Sequence, residues 1–357
     1  MKIHNFSAGP CILPQEVFDR MAQAVLNFNN SGLSLMEISH RRPDAEEVMH
    51  NTIQLTKELL NVPDTHEVIF TQGGASLQFV MVPFNMMNLN GGKAAYLDTG
   101  VWSTKAIAEG KRLGLVDVVA SSADKKYSYI PKNYNIPSDA DYFHCTSNNT
   151  VAGTQMKSFP NSPVPIVCDM SSDIMSKPVD VSKFAVIYGG AQKNMGPAGN
   201  AVTIIKKEVL GKTGRDIPTY LNYQVHIDKE SAFNTWSVMA IYGAMCNLEW
   251  LKSIGGIPEI SKRNKAKSEL MYSEIDRNGM FRGPVAVEDR SDMNATFVLN
   301  DESLKDEFDK MWKEAGIVNL KGHRIVGGYR ASMYNALPIE SVQVLVDVMK
   351  AFEQKFG

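Results

Sequence analysis

Between residues 67 and 205 the chain repeats one pattern, in which short apolar runs alternate with longer stretches of helical periodicity. The runs cover 67–70, 94–97, 116–119, 142–145, 165–168, 185–188 and 201–205. Most are continuous apolar segments rather than strict alternations of apolar and polar residues. A strand buried on both faces reads this way, and helical segments between such strands supply the crossovers that parallel pairing requires. The pattern therefore predicts an α/β protein with a mostly parallel seven-stranded sheet covered by helices on both faces.

Helices are expected at 14–29, where Val17, Met21 and Val25 are spaced four apart, and at 44–60, with Val48, Ile53, Leu55 and Leu59 on one side. The character changes near residue 230. A largely apolar helix is expected over 231–254, then a charge-rich one over 257–278. Beyond it a strand at 295–299 and helices at 303–315 and 339–356 suggest a small C-terminal α+β domain. The expected division is a large domain over 16–260, a small domain over 261–357, and an N-terminal segment, 1–15, associated with the small domain.

Composition excludes several classes. Lys plus Arg is 37 and Asp plus Glu 39, a net charge of −2, which argues against a general nucleic-acid binder. Cys11, Cys145, Cys168 and Cys246 are scattered without a CxxC pair, so neither a disulfide scaffold nor a zinc knuckle is expected. The N-terminus lacks the apolar core of a signal peptide. The longest uncharged stretch, 68–92, is broken by Gln72, Gln78, Pro83, three asparagines and four glycines, a poor membrane span. A cytoplasmic setting is expected.

Ligands of open α/β sheets bind beyond the carboxyl ends of the strands, so the residues that follow each run matter most. After 67–70 comes Thr71-Gln-Gly-Gly-Ala-Ser76, then an apolar helix. Glycines let an anion approach the backbone, and free N–H groups at a helix N-terminus favour phosphate. The plainer reading is a turn with an N-cap serine. The segment has no GxxxxGK[ST] or GxGxxG signature, so a bound phosphate need not belong to a nucleotide. Asp169 directly follows 165–168; a carboxylate there is costly unless paired, or else it serves as a turn aspartate. Lys193 stands five residues beyond 185–188 with glycines on both sides, where a parallel strand opens into the crevice. A phosphate loop, a strand-end Asp and a strand-end Lys in this order suit pyridoxal 5′-phosphate, whose aldehyde joins a lysine amine while an aspartate holds the ring nitrogen protonated.

Two basic clusters remain, His40-Arg41-Arg42 and the segment from Lys321 to Asn335. No Asp or Glu occurs between Ala315 and Ile339, so His323, Arg324 and Arg330 read as an anion site or as a solvated basic face. Trp102, after Asp98-Thr-Gly-Val101, reads as a ring that stacks on a flat cofactor or as core filling.

These segments resemble the phosphoserine aminotransferases, fold-type I pyridoxal-phosphate transferases of the class V aminotransferase group. The resemblance spans essentially the whole chain. It is carried by Asn5-Phe-Ser-Ala-Gly-Pro10, Met36-Glu-Ile-Ser-His-Arg41, Gly73-Gly-Ala-Ser-Leu-Gln-Phe79, Cys168-Asp-Met-Ser-Ser172, Tyr188-Gly-Gly-Ala-Gln-Lys-Asn194, Phe233-Asn-Thr235 and Lys321-Gly-His-Arg-Ile-Val-Gly-Gly-Tyr-Arg-Ala-Ser332.

The resemblance implies that Lys193 is the Schiff-base lysine and proton shuttle, that Asp169 partners the pyridine nitrogen, that Trp102 stacks on the ring and that Thr150 bonds its phenolic oxygen. Ala75, Ser76 and Gln192 would bind the cofactor phosphate, joined by Asn234 and Thr235 of a second subunit, which implies a homodimer with shared sites. Arg324 resembles the residue that holds the substrate α-carboxylate. His40, Arg41, His323 and Arg330 resemble the set that binds the substrate phosphate or the glutamate side chain.

The chain departs from some family members in having Ser76 in place of an arginine, and Ala8 in place of a serine. The implied reaction converts L-glutamate and 3-phosphohydroxypyruvate to O-phospho-L-serine and 2-oxoglutarate in serine biosynthesis. Activity on the phosphorylated four-carbon oxo acid of pyridoxine biosynthesis is implied as well. Three rivals stand beside it. Cysteine desulfurase needs a late cysteine, and none follows Cys246. A serine–glyoxylate type of aminotransferase would need no such basic clusters. The last rival is a non-catalytic binder of phosphorylated ligands on the same fold.

Overall fold

The computed structural model describes residues 2–324 and 327–357. In chain order it runs β1 (His4–Asn5), α1 (Gln15–Leu26), α2 (Pro43–Leu59), β2 (His66–Thr71), α3 (Gly74–Met86), β3 (Lys93–Asp98), α4 (Val101–Gly110) and β4 (Leu115–Ser121). Then come β5 (Tyr142–Thr146), β6 (Asn148–Asn149), β7 (Thr154–Gln155), β8 (Ile166–Asp169), β9 (Val186–Gly190), β10 (Ala201–Lys206), α5 (Tyr223–Asp228), α6 (Val238–Ser253) and α7 (Gly256–Arg277). The chain closes with β11 (Phe281–Arg282), β12 (Asn294–Leu299), α8 (Lys305–Glu314), β13 (Ile317–Val318), β14 (Tyr329–Ser332) and α9 (Ile339–Phe356).

All seven expected runs form one sheet, ordered β2-β10-β9-β8-β5-β3-β4. β10 is antiparallel to both neighbours, and the remaining pairs are parallel. The register sets Thr146 beside Asp169 and Asp169 beside Tyr188, so β5, β8 and β9 end on one rim. Every residue of β5, β8 and β9 is buried, as their mostly apolar runs require.

Two expectations need correction. The stripe expected on α1 places Val25 inward, but Val25 is 38% exposed, whereas Val17 and Ala24 are buried. At about 3.6 residues per turn, a step of seven returns to the same face and a step of eight overshoots it. The helix expected from residue 231 begins only at Val238. Ser237 before it is extended, and Trp236 is buried from an irregular segment rather than from a helix. Apolar content there reflects burial, not periodicity.

A second, aromatic core lies in the C-terminal part, where Phe281, Phe297, Phe308, Tyr329 and Phe352 pack edge-on or stacked around the sheet β11-β12-β14. Phe6 is fully buried in that core, and β1 pairs in parallel with β13. α7 serves both cores: Ile257 and Ile260 pack with the large sheet, Met271 and Ile275 with the aromatic cluster.

Candidate active site

The rim formed by β5, β8 and β9 opens into a crevice of about 380 Å³. It brings together nine of the residues singled out in the sequence: Ala75, Ser76, Trp102, Thr150, Asp169, Gln192, Lys193, His323 and Arg330. They arrive from several separate turns of chain, and the local backbone explains why.

β2 ends at Thr71, and α3 begins at Gly74 with Gly73 as its cap. Gly73 has φ +87° and Gly74 φ +60°, a left-handed pair that side chains with a Cβ disfavour. At Gly73 a Cβ would also stand 2.7 Å from the Leu77 Cβ. The glycines therefore do two things: they turn the chain sharply and leave the first N–H groups of α3 facing the crevice. Ser76, expected as an N-cap, lies inside the first turn, and no side chain caps the helix. The uncapped N–H groups and their partial positive charge suit a phosphate.

Asp169 is the last residue of β8 and is 4% exposed. One carboxylate oxygen accepts from the Ser171 N–H at 2.9 Å, the turn role that the sequence allowed. Burial raises its pKa, partly offset by the bonds from Ser171 and by the charge of Lys193.

Lys193 lies in the turn after β9 and is 8% exposed. Its Nζ donates to the Thr150 hydroxyl at 2.9 Å and lies 5.9 Å from the Trp102 ring centroid. Burial pushes its pKa down to about 8, against the pull of Asp169 and with the repulsion of Arg330. Near neutrality such an amine yields its proton far more readily than an exposed lysine, as a nucleophile or proton carrier requires. The N-terminal segment straps this turn: the Cys11 thiol donates to the Lys193 carbonyl at 2.6 Å, and the Cys11 N–H to that of Gln192 at 3.1 Å. Sequence reasoning passed over this strap and over Asn148 on the crevice wall, and noted Ala8 only as a departure from some relatives; both Ala8 and Gly9 line the crevice. Only the Asn5-Phe-Ser-Ala-Gly-Pro10 motif hinted at the strap.

Arg330 on β14 lines the opposite wall, and its guanidinium donates to the Thr150 carbonyl at 3.3 Å. Burial lowers its pKa. The pKa of His323 is lowered first by burial, then by the charges of Arg330, Arg324 and Lys105. Cations gathered this closely repel one another unless an anion sits among them, so this end of the crevice is built for negative charge. Lys105, 4.6 Å from the Trp102 ring, belongs to this field and went unnoticed in the sequence.

Arg324 is exposed and does not line the crevice; nor do His40, Arg41, Asn234 or Thr235. Within one chain, Asn234 and Thr235 instead meet Gln72, whose side-chain amide donates to the Thr235 carbonyl at 2.9 Å.

The donor set fits a phosphate-bearing aldehyde with a basic ring nitrogen: an uncapped helix end, a buried carboxylate, an indole and a buried amine share one cavity. Comparison with known proteins agrees. The family model described as Aminotransferase class-V matches residues 3–345. A phosphoserine aminotransferase of Flavobacterium psychrophilum is 61% identical over 99% of this chain and 100% of its own length. The solved phosphoserine aminotransferase of Bacillus circulans subsp. alkalophilus is 41% identical, covering 100% of this chain and 99% of that one, with a TM-score of 0.96. The pyridoxal-phosphate-bound enzyme of Trichomonas vaginalis is 35% identical over 98% of this chain and 100% of that one, with a TM-score of 0.93. Pyridoxal 5′-phosphate is the cofactor of this fold-type I transferase. Fold, crevice chemistry and full-length similarity together lead to one assignment: the chain belongs to the phosphoserine aminotransferases, within the class V aminotransferases.

Proposed function

We propose that the crevice transfers an amino group from L-glutamate to 3-phosphohydroxypyruvate, giving 2-oxoglutarate and O-phospho-L-serine for serine biosynthesis. The observation that carries this reading is the placement of His323 and Arg330 on the crevice that holds Lys193 and Asp169. Both substrates carry an anionic group beyond the reacting carbon, a carboxylate in glutamate and a phosphate in the oxo acid, and this wall supplies the matching cations. The phosphorylated four-carbon oxo acid of pyridoxine biosynthesis presents the same charges, and we include it as a second substrate.

When bound, pyridoxal phosphate supplies an aldehyde to join an amine and a ring to take up the electrons released at the substrate α-carbon. The protein does the rest. Lys193 would hold the cofactor and supply the amine that moves the α-proton; burial, which pushes its pKa down to about 8, favours that transfer near neutral pH. Asp169 would hold the ring nitrogen protonated, and that cation would offset the burial of its carboxylate. Trp102 would cover the ring, and Thr150 would bond its phenolic oxygen. Ala75, Ser76 and Gln192 hold the cofactor phosphate.

Asn234 and Thr235 reach that phosphate from a second copy of the chain, in a homodimer with shared sites. Their position outside their own crevice supports this. Arg324 takes the substrate α-carboxylate. His323 and Arg330, with His40 and Arg41 across the dimer, take the phosphate or the glutamate side chain. The aromatic cluster of the C-terminal part, separate from the two clusters that flank the large sheet, supports a division into 16–260 and 261–357, with 1–15 joined to the latter through β1 and Phe6. Among the described residues no helix is long and apolar enough to cross a membrane, and all four cysteines are free, which suits the cytoplasm.

A coupled assay tests the reading. With glutamate as donor, 3-phosphohydroxypyruvate should outpace hydroxypyruvate by at least about 100-fold in kcat/KM, the value of one lost buried charge pair. Equal rates would remove the phosphate site, and no turnover of either would favour the non-catalytic binder.

A further inference from the structure

Outside the crevice, three buried asparagines close on one short stretch of chain. The turn after β8 presents three consecutive carbonyls, those of Ile174, Met175 and Ser176, and each accepts a side-chain amide from a different part of the protein. Asn194 donates to Ile174 at 3.1 Å, Asn335 to Met175 at 2.8 Å and Asn264 to Ser176 at 3.2 Å. The three asparagines are also joined to one another. The Asn335 backbone N–H donates to the Asn194 side-chain oxygen at 3.0 Å, and the Asn264 amide donates to the Asn335 side-chain oxygen at 2.8 Å. Backbone carbonyls only accept, so the amide orientations are fixed. None of the three is more than 6% exposed, and none lines the crevice. Met175, at the centre, is fully buried with φ +61°, a left-handed conformation that a residue with a Cβ keeps only where its surroundings impose it. Lys267, one turn beyond Asn264 on α7, adds bonds to the Met333 and Tyr334 carbonyls at 3.0 and 2.7 Å.

The segments joined in this way are those that carry the chemistry. Asp169 lies five residues before Ile174, Lys193 directly precedes Asn194, and Arg330 lies five residues before Asn335. We infer that Asn194, Asn264 and Asn335 are positioning residues: their clasp on 174–176 fixes the span between the Lys193 amine and the cationic wall at Arg330, and so selects substrates by the distance from reacting carbon to distal anion. This rests on the functional reading above. The two substrates share that distance. In glutamate the side-chain carboxylate carbon is three bonds from the α-carbon, and in 3-phosphohydroxypyruvate the phosphorus is three bonds from the keto carbon. Aspartate falls one bond short. A rigid span accepts the first two and leaves aspartate unable to reach both ends; a misplacement of about 1 Å is worth up to about 100-fold in rate. The span holds between the two parts of the chain because α7, which carries Asn264, packs into both cores.

The test compares donors of two lengths. With 3-phosphohydroxypyruvate as acceptor, the preference for glutamate over aspartate in kcat/KM should fall about tenfold or more in Asn194→Ala and in Asn335→Ala. It should fall less steeply in Asn264→Ala, which leaves the bond between Asn194 and Asn335 in place and covers the case of the other two failing to fold. Asn278, an equally buried asparagine that binds Glu274 and Met349 instead, is the control, and Asn278→Ala should keep the wild-type preference. Loss of a merely structural bond would slow both donors alike and leave their ratio unchanged. A second readout needs no turnover. In calorimetric titrations of the holoenzyme, wild type should bind glutarate more tightly than succinate, and the gap should narrow in the same variants. An unchanged ratio in the folded variants overturns the inference, as does an equal fall in Asn278→Ala. If wild type transaminates glutamate and the ratios stay fixed, only this inference falls. If wild type turns over neither donor, the functional reading falls, and the gap between glutarate and succinate still decides the span.

Discussion

Two aspartates, one on the large sheet and one on a helix beside the aromatic core, are almost equally buried and live in opposite circumstances. Asp169, at the end of β8, has 4% of its surface exposed and accepts one backbone bond, from Ser171. Burial raises its pKa. Asp309, on α8, is also 4% exposed but accepts from Lys305 at 2.8 Å, Lys321 at 3.0 Å, Tyr329 at 2.9 Å and Trp312 at 3.1 Å. Burial would raise its pKa too, yet these donors outweigh it and hold the carboxyl well below the usual carboxylate range. One carboxylate is complete within the chain; the other has only Ser171 and the charge of Lys193 to offset its burial, and its pKa stays raised. A buried charge left short of partners is costly, and its persistence marks a place where something binds.

The contrast implies opposite responses to substitution. The largest effect belongs to the crevice. Lys193→Ala should reduce transamination by more than about a thousandfold, since no other group in the crevice can both hold the cofactor and carry the α-proton. Its melting temperature should stay at or above that of wild type, because the variant no longer buries an amine. Activity assays and thermal melts on one preparation check this. Borohydride reduction of the wild-type holoenzyme, followed by digestion, should leave the pyridoxyl tag on Lys193; a tag elsewhere removes the assignment.

Next in size is the paired substitution of the two acids by asparagine. Asp169→Asn should lower kcat by about 100-fold or more through loss of the charge that holds the ring nitrogen protonated, with little loss of stability. Asp309→Asn should do the reverse: activity per folded molecule unchanged, stability lower by about 2 kcal/mol. Lys305 and Lys321 are about half-exposed and partly screened, which places the loss below the roughly 3–5 kcal/mol of a fully buried pair. The sign with pH follows. The folded pKa of Asp309 is depressed, so its contribution is present above about pH 4 and fades as the pH falls toward its folded value. The gap in melting temperature between wild type and Asp309→Asn should close in acid.

The same contrast explains what the sequence made legible. Six of the seven strands announce themselves, because strands buried on both faces must be largely apolar; β4, at the sheet edge, has no buried residue and shows only through its valines. Asp169 and Lys193 stand out for the complementary reason: they are charged residues at the ends of such runs. Asp309 could not be picked out. It lies in a helix rich in acids and lysines, and its partners Tyr329 and Lys321 are distant in sequence. Asn294 and Tyr334 were likewise invisible, since an ordinary Asn and Tyr become a hydrogen-bond hub only when β12 and β14 meet the loop around Asn148. The false start of α6 at residue 231 has the opposite cause: Trp236 is apolar because it is buried, and burial alone does not fix a helix. Sequence reports which residues leave water, and it reports periodicity where an element is long. Pairings across the chain wait for the fold.

The smallest effect in the comparison is also the most direct reading of the crevice amine. Burial pushes Lys193 down to about 8, whereas a solvent-exposed lysine titrates near 10.4. Only the unprotonated amine can attack an aldehyde. The rate at which cofactor-free protein takes up pyridoxal phosphate should therefore climb as the pH rises through about 8 and level off above it, instead of climbing on toward 10. Asp169 pulls the other way, because its negative charge stabilises the ammonium form. In Asp169→Asn the uptake midpoint should move down by about half a unit to one unit, and in Asp309→Asn it should not move. Stopped-flow absorbance at a series of pH values measures both. A midpoint near that of free lysine would mean that the crevice leaves the amine fully hydrated. Equal shifts in the two variants would mean that the acids act on Lys193 only through the general charge of the protein, and the distinction between a satisfied and an unsatisfied carboxylate would have no bearing on the chemistry.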